Sequence, residues 1–400
     1  MGAVTPVGIG VDNYWENLTA GKSGIDTIKS FDASELAVQF AGEIKNFNPS
    51  DYLPKDLVRK TDPFMQYAYI SAEEALKQSE LTIEPERTGI IMGTAMAGVA
   101  TTAFTQDALS GASHKKVGPR FIPKILGNIA AANIAIDYNI QGPSFTVSTA
   151  CSSGGDAINI ACMYMQAGKA DVMLAVGAES VLCPLVIYSL ANAKALSRRN
   201  DDPITASRPF DVTRDGFVIG EGGGALILET EEHALARGAK IYGEIKGCGN
   251  TCDAHHVTAP HPEGRGAIAC MKQAMADAGI TAKEIGYINA HGTATNKGDL
   301  VETAAIKEIF GDTLPYVSST KGATGHMMGA GGITETITCI KAIETGIIPP
   351  TINLNEVDPD CAGIDFVPNT AKQVKIDYAM SNAFGFGGQN SSIIVGRYKK

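Results

Sequence analysis

The 400-residue chain has no long polar tract, no long basic run and no uninterrupted apolar stretch of membrane-spanning length. Apolar residues make up 44% and charged residues 19%, which excludes a wholly disordered chain. The formal net charge of −10, with dispersed basic residues, disfavours nucleic acid as a partner. The longest apolar stretch, 172–193, contains Glu179 and Pro184, so it predicts a strand, a loop and a helix rather than a membrane span.

The chain also lacks the dense cysteine framework of small disulfide-bonded domains. Its eight cysteines are irregularly spaced and mostly lie in apolar runs, which predicts reduced thiols. Residues 1–6 show no basic region followed by an apolar one, so no signal peptide is apparent. We therefore expect a cytoplasmic protein.

Glycine, in contrast, is abundant and clustered. The chain has 44 glycines, with clusters at 220–224, 329–332 and 385–388. Clusters of this kind indicate close backbone approach or positive φ angles.

Two blocks of sequence recur in the same order. An apolar helical pattern followed by a β-type run ending in Gly-Thr occurs at 66–94 and again at 266–293. A strand, a glycine-rich turn and a helix are predicted at 145–158 and again at 316–333. Chance similarity between strand-helix units is the alternative, but the shared order favours duplication. We predict an α/β fold of two duplicated halves, 1–240 and 241–400, with parallel or mixed sheets covered by helices.

Cys151 is the candidate nucleophile. It lies between a β-branched run, 144–150, and a predicted helix start rich in serine and glycine. Unpaired N–H groups and the dipole of a helix start stabilise a thiolate, and small neighbours leave the sulfur open to attack a carbonyl. The alternative is a small buried apolar residue, our interpretation of Cys162, Cys183, Cys270, Cys339 and Cys361.

His291 and His326 lie in glycine-rich turns after predicted strands, where α/β sheets place ligands. With Cys151 they suit acyl chemistry, in which neutral imidazoles donate to an oxyanion or enolate. The same trio also suits a metal ion. A second candidate set loosely resembles a zinc-binding loop but lacks a second compact ligand pair; it consists of Cys248, Cys252, His255, His256 and His261.

An ordered series of motifs resembles the β-ketoacyl-acyl-carrier-protein synthases, and most of all the type II elongation enzymes. The motifs are Thr149-Ala-Cys-Ser-Ser, Asn289-Ala-His-Gly-Thr-Ala-Thr, Ser319-Thr-Lys-Gly-Ala-Thr-Gly-His, Pro349-Pro-Thr-Ile-Asn-Leu and Asn382-Ala-Phe-Gly-Phe-Gly-Gly. The resemblance implies a thiolase-like fold in a layered α-β-α-β-α architecture and a homodimer. We expect no organic cofactor, and the ligand spacing disfavours a metal.

The resemblance also implies roles for individual residues. Cys151 would accept the acyl group, His291 and His326 would assist malonyl decarboxylation, and Lys321 would order the site with Glu302 as its partner. Residues matching substrate-binding positions are Thr293, Thr295, Phe384 and Phe386. Phe386 would be a gate, or simply an apolar plug, and its backbone N–H would form an oxyanion hole with that of Cys151.

The implied partner is an acyl carrier protein with a phosphopantetheine arm. Because carriers of this family are acidic and this chain is itself negative, docking requires a local basic patch. Lys194 and Lys60 are the candidate docking residues, and each is alternatively a solvated surface charge. Candidate neighbours are Lys115, Lys116, Arg120, Lys124, Arg198 and Arg199.

The implied reaction is a decarboxylative condensation that gives a 3-oxoacyl-carrier protein two carbons longer, in fatty acid elongation. A polyketide or aryl-polyene ketosynthase would keep the same three residues. A non-catalytic chain-length partner commonly lacks the nucleophile, a thiolase would use a second cysteine, and a cysteine hydrolase would need an orienting acid or amide. Acyl-chain length is not readable from these residues.

One departure from the family pattern concerns the first strand. The family opens with a β-branched strand and Thr-Gly before the segment that matches 2–8, and those residues are missing here. We therefore expect a gap or a strained substitute at that position of the sheet.

Overall fold

The computed structural model describes residues 1–110 and 117–399. The strands are β1 (Gly2–Thr5), β2 (Gly8–Ile9), β3 (Asp26–Thr27), β4 (Phe40–Ala41), β5 (Thr88–Gly93), β6 (Ser144–Val147), β7 (Val172–Glu179), β8 (Gly222–Glu229), β9 (Glu244–Cys252), β10 (Ile285–Asn289), β11 (Tyr316–Ser318), β12 (Ile347–Ile348), β13 (Lys372–Gln373), β14 (Tyr378–Phe384) and β15 (Gln389–Gly396).

The helices are α1 (Val11–Thr19), α2 (Lys55–Lys60), α3 (Pro63–Ser79), α4 (Val99–Ser110), α5 (Phe121–Ile125), α6 (Ile129–Tyr138), α7 (Ser153–Gln166), α8 (Pro184–Asn192), α9 (Glu231–Ala236), α10 (Arg265–Ala278), α11 (Asn296–Phe310), α12 (Lys321–Thr324) and α13 (Gly331–Thr345). Within the ranges described, none of them is both long and apolar enough to cross a bilayer.

The two main sheets repeat one topology. In the first, β6, β5 and β7 are parallel, and β8 and β1 follow antiparallel; β2 extends the edge. In the second, β11, β10 and β14 are parallel, and β15 and β9 follow antiparallel. Because corresponding strands also occur in the same chain order, the topology confirms the predicted duplication.

The layers follow from which helices are buried on both sides. α7 and α13 lie between the two sheets, while α3 and α6 cover the outer face of the first sheet and α10 that of the second. α13 is buried along nearly its whole length, as expected for a helix enclosed by two sheets. The order is therefore helix, sheet, helix, sheet, helix.

Glycine permits the two central helices to approach closely. A Cβ added at Gly332 would lie 2.4 Å from the backbone nitrogen of Gly155, which no real side chain tolerates. This contact explains part of the 329–332 cluster and brings the start of α7, and with it Cys151, against the start of α13.

The expected gap at the N-terminal strand is found only in part. β1 takes a place in the sheet and pairs Gly2 to Val4 with Ala225 to Gly223 of β8. Leu226 to Glu229 of β8 continue past Met1, and a groove of about 550 Å³ lies beside them. The strand position is thus occupied, and the unfilled space lies next to Met1.

Candidate active site

Cys151, the candidate nucleophile, lies on a sharp turn after β6. Ala150, which is not glycine, has a φ of +53°, and a 3₁₀ turn over Ala150–Ser152 leads into α7. The Ser153 hydroxyl accepts from the Thr149 N–H at 2.9 Å and donates to the Ala150 carbonyl at 2.7 Å. These bonds offset the cost of the left-handed residue and fix the direction of the Cys151 side chain.

A buried carboxylate ties this turn to the other half of the fold. Asp156 on α7 accepts from the Thr149 hydroxyl at 2.5 Å and from the Asn250 side-chain amide on β9 at 2.6 Å. Sequence reasoning missed this link because Asp156 and Asn250 are far apart along the chain.

Three side chains from distant segments converge. His291 follows the end of β10, and His326 follows α12. Nε2 of His326 lies 3.0 Å from Sγ of Cys151, and the two imidazole centroids are 5.3 Å apart. The structure therefore shows the convergence that the sequence predicted.

Burial keeps all three groups neutral at rest. It raises the pKa of the Cys151 thiol to about 11, against a smaller lowering by the backbone N–H of Phe386. The expectation of a stabilised thiolate is therefore wrong for the resting site, because desolvation outweighs the Phe386 N–H and the Lys321 charge, which lower the thiol pKa. Burial, with a smaller effect of the Lys321 charge, holds the pKa of both His291 and His326 well below the usual range.

Lys321 has a different partner from the one expected. Its ammonium pairs with Glu335 on α13, and both side chains are buried. Glu302 instead accepts from the backbone N–H groups of His291 and Gly292 at 2.9 and 2.8 Å, so it orients the turn that carries His291. The pairing of Lys321 with Glu302 is thus corrected, because the backbone amides of that turn satisfy Glu302.

A signal for Glu335 was present in the sequence. It is the only charged residue in the stretch 331–340, which is otherwise apolar, small or threonine. A carboxylate in such a helix requires a buried cation or several donors.

A cavity of about 840 Å³ opens onto the trio, and it is lined by Cys151, His291 and His326. The predicted substrate-binding residues Thr293, Thr295, Phe384 and Phe386 line the same cavity. The two threonine hydroxyls are 3.0 Å apart, and the Phe384 ring lies 5.8 Å from that of His291. Phe386 is 41% exposed, so it is not a fully packed plug.

The two candidate docking lysines lie in different settings. Lys194 lines the cavity. Lys60, at the end of α2, pairs with Asp56 and is about half exposed. Lys115 and Lys116 lie outside the described residues.

The metal alternatives can be compared by geometry. Over the part of the chain that the structure describes, the only group of three or more metal-type side chains close enough to share an ion is Cys151, His291 and His326. In the looser set, the rings of His255 and His261 are 5.0 Å apart, but no third ligand joins them within the described ranges.

Family models match most of the chain. Residues 1–234 match the N-terminal domain of β-ketoacyl synthases, and residues 242–355 match the C-terminal domain. The chain belongs to the β-ketoacyl synthase family.

Two relatives of this synthase are 3-oxoacyl-[acyl-carrier-protein] synthases 2. The one from Synechocystis is 42% identical over 100% of this chain and 97% of its own length. The one from Coxiella burnetii is 44% identical over 99% of this chain and 97% of its own length.

Solved structures agree with the fold. A β-ketoacyl synthase from Burkholderia phymatum superposes with a TM-score of 0.90 at 34% identity, covering 100% of this chain and 98% of that one. The ishigamide ketosynthase/chain length factor gives 0.92 at 34% identity, with 100% and 98% covered. The thiolase-like fold class is thereby confirmed.

Proposed function

We infer that this synthase is a 3-oxoacyl-acyl-carrier-protein synthase that performs decarboxylative condensation in fatty acid elongation. The observation that carries this inference is the contact of the Cys151 sulfur with Nε2 of His326, beside His291, at the wall of a cavity of about 840 Å³.

We propose that the first stage loads the acyl chain onto Cys151. Sγ attacks the thioester carbonyl of the acyl-carrier protein, a new S–C bond forms, and the bond to the pantetheine sulfur breaks. Because the resting thiol is protonated, Nε2 of His326 takes its proton and passes it to the departing pantetheine sulfur. The backbone N–H groups of Cys151 and Phe386 stabilise the oxyanion.

The second stage uses the two imidazoles as donors. Malonyl-carrier protein loses CO₂, and the electron pair of the broken bond forms an enolate on the thioester. Once Cys151 is acylated, His326 takes up the tautomer that carries its single proton on Nε2. The neutral imidazole N–H groups of His291 and His326 then stabilise the enolate oxygen, which fits their lowered pKa values. The enolate carbon attacks the acyl-Cys151 carbonyl, the S–C bond breaks, and the released thiolate takes a proton from solvent.

The remaining assignments concern the carrier. Thr293 and Thr295 contact the pantetheine arm, and Phe384 and Phe386 flank the reacting end, because all four line the cavity. Lys194 lines the same cavity and so can contact a carrier whose arm enters it. Lys60, which does not line the cavity, is the second proposed docking contact.

A second copy of the chain is the proposed permanent partner. β6 is the edge strand of the first sheet and is not buried. Ile136 and Met163, on helices that pack against β6, are exposed by 75% and 58%. An unprotected edge flanked by apolar side chains favours a homodimer through β6. The eight unpaired cysteines fit a cytoplasmic location.

Fatty acid elongation is favoured over a polyketide pathway by similarity. The relatives named 3-oxoacyl-[acyl-carrier-protein] synthase 2 are 42 to 44% identical. A ketosynthase from a type II polyketide complex that contains its acyl-carrier protein is 31% identical. Cys151 argues against a non-catalytic chain-length partner.

The test is reconstitution with purified carriers. The synthase is incubated with acyl- and malonyl-carrier proteins, and products are followed by mass spectrometry. We expect a 3-oxoacyl-carrier protein two carbons longer. Absence of extension with every acyl-carrier tested would reject the function.

A further inference from the structure

Glu179, the last residue of β7, is a fully buried carboxylate that the reaction does not use. Burial raises its pKa to about 7. Four neutral donors surround it. Oε1 accepts from the Met96 N–H and the Thr94 hydroxyl, both at 3.1 Å, and Oε2 accepts from the N–H groups of Ala95 at 2.6 Å and Gly329 at 3.2 Å.

These donors belong to two turns that form part of the cavity wall. One turn follows β5 and contributes Ala95 and Met96, and the other precedes α13 and contributes Met328. Ala95 and Met328 pack in the same apolar cluster as Cys151. The wall formed by these residues therefore adjoins the acyl-accepting sulfur.

Both turns contain a residue in the left-handed region. Ala97 has a φ of +47° and Met328 a φ of +45°, and neither is glycine. Conformations of this kind persist only where the surroundings hold them. Oε2 of Glu179 supplies such a hold for both turns at once, because it accepts one N–H from each.

The two turns pack closely against each other at Gly329. A Cβ added at Gly329 would lie 2.8 Å from both the Ala95 nitrogen and Oε2 of Glu179. The Ala95 backbone and the Glu179 carboxylate therefore together limit how far the two turns can move relative to each other.

We propose that Glu179 is a positioning residue that sets the shape of the acyl-binding wall and thereby the acyl-chain lengths that the synthase accepts. The inference rests on the proposed function, since it takes the cavity as the acyl site. Glu179 acts through Ala95, Met96 and Met328 and does not itself touch the acyl chain.

Glu179→Gln is the decisive variant. The side chain keeps its shape, but an NH₂ group replaces one acceptor oxygen and faces two donors, so one pair of bonds is lost. Glu221→Gln is the matched control. Glu221 is similarly buried and accepts from the Ile44 N–H and the Ser180 hydroxyl, and neither residue lines the cavity.

The assay measures kcat/KM for a series of acyl-carrier proteins of increasing chain length. We expect Glu179→Gln to change the ratio between long and short chains by at least about tenfold, the scale of a methylene misfit in an apolar pocket. We expect Glu221→Gln to leave that ratio within about twofold of wild type, even where it lowers Tm. An unchanged ratio in Glu179→Gln, or an equal change in the control, would overturn the proposal.

Two safeguards keep the outcomes separate. If Glu179→Gln does not fold, Thr94→Ser is the reference and Thr94→Val the test: Thr94→Val removes the hydroxyl that donates to Oε1 and accepts from the Ala97 N–H, whereas Thr94→Ser keeps it. We expect Thr94→Val to shift the ratio in the same direction relative to Thr94→Ser, and no shift then rejects the proposal. Failure of the wild type to extend any acyl-carrier would reject the proposed function, whereas an active wild type with an unchanged variant ratio rejects the role of Glu179 alone.

Discussion

The two imidazoles should contribute differently to acyl loading and to malonyl decarboxylation. Nε2 of His326 lies 3.0 Å from the Cys151 sulfur. With a thiol pKa of about 11, roughly one thiol in 10⁴ is ionised at pH 7 without a proton acceptor. Loss of the base at 326 should therefore slow acyl loading by about 10²- to 10³-fold.

His291 provides the matched comparison, because it is the same side chain in the same buried site without a hydrogen bond to the sulfur. His291→Ala should lower malonyl decarboxylation by about 10²- to 10³-fold, the effect of losing one oxyanion donor. Its acyl loading should fall by less than about tenfold. His326→Ala should be impaired in both stages, whereas the sequence alone assigned it mainly to decarboxylation.

Single-turnover experiments separate these effects. Acyl transfer to the protein is followed by intact-protein mass spectrometry, and decarboxylation by release of labelled CO₂ from malonyl-carrier protein. Equal loading defects in His291→Ala and His326→Ala, or normal loading in His326→Ala, would refute His326 as the acceptor of the thiol proton.

Three further results are expected. Lys321→Met should lower the free energy of unfolding, measured by urea titration, by about 3–5 kcal/mol, because it leaves the buried Glu335 carboxylate without its cation. The double variant with Glu335→Leu should recover most of that loss, and no recovery would contradict the pairing. Burial raises the pKa of Glu221 to about 7, so its stabilising contribution is complete below about pH 4.5 and is lost as pH rises through 7. Glu221→Gln should therefore reduce the decline in stability between pH 5 and 8 by up to about 3 kcal/mol, and an unchanged decline would argue against a raised pKa. Asp156→Ala should slow alkylation of Cys151 by iodoacetamide, since it frees the Thr149 turn, while Asp156→Asn, which keeps an acceptor oxygen, should slow it less.

The fold was predictable because each half repeats the same local sequence patterns. Strand-helix units recur in the same order in each half, and strands such as β7 are continuous apolar runs that suit a doubly covered sheet. At the N-terminal strand we expected a gap or a strained substitute, because the sequence does not reveal that Gly2 to Val4 pair with β8.

The candidate site was predictable where a reactive side chain lies in a turn of small residues. Cys151, His291 and His326 lie in small-residue turns at strand or helix ends, where local sequence already indicates exposure toward a ligand. The thiol pKa was not predictable, because it depends on burial by segments distant along the chain. The lone charge of Glu335 in its helix indicated a buried partner, but the sequence did not show that this partner is Lys321. The same holds for Glu179, whose four donors come from two separate turns.

The most direct test of the central claim is a quenched reaction analysed by peptide mass spectrometry. Acyl-carrier protein is added first, the site of acylation is mapped, and malonyl-carrier protein is then added. We predict an acyl thioester on Cys151 that disappears at the rate at which the 3-oxoacyl product forms, and neither species in Cys151→Ala. An acyl group on another residue, or product formation by Cys151→Ala at the wild-type rate, would contradict the claim.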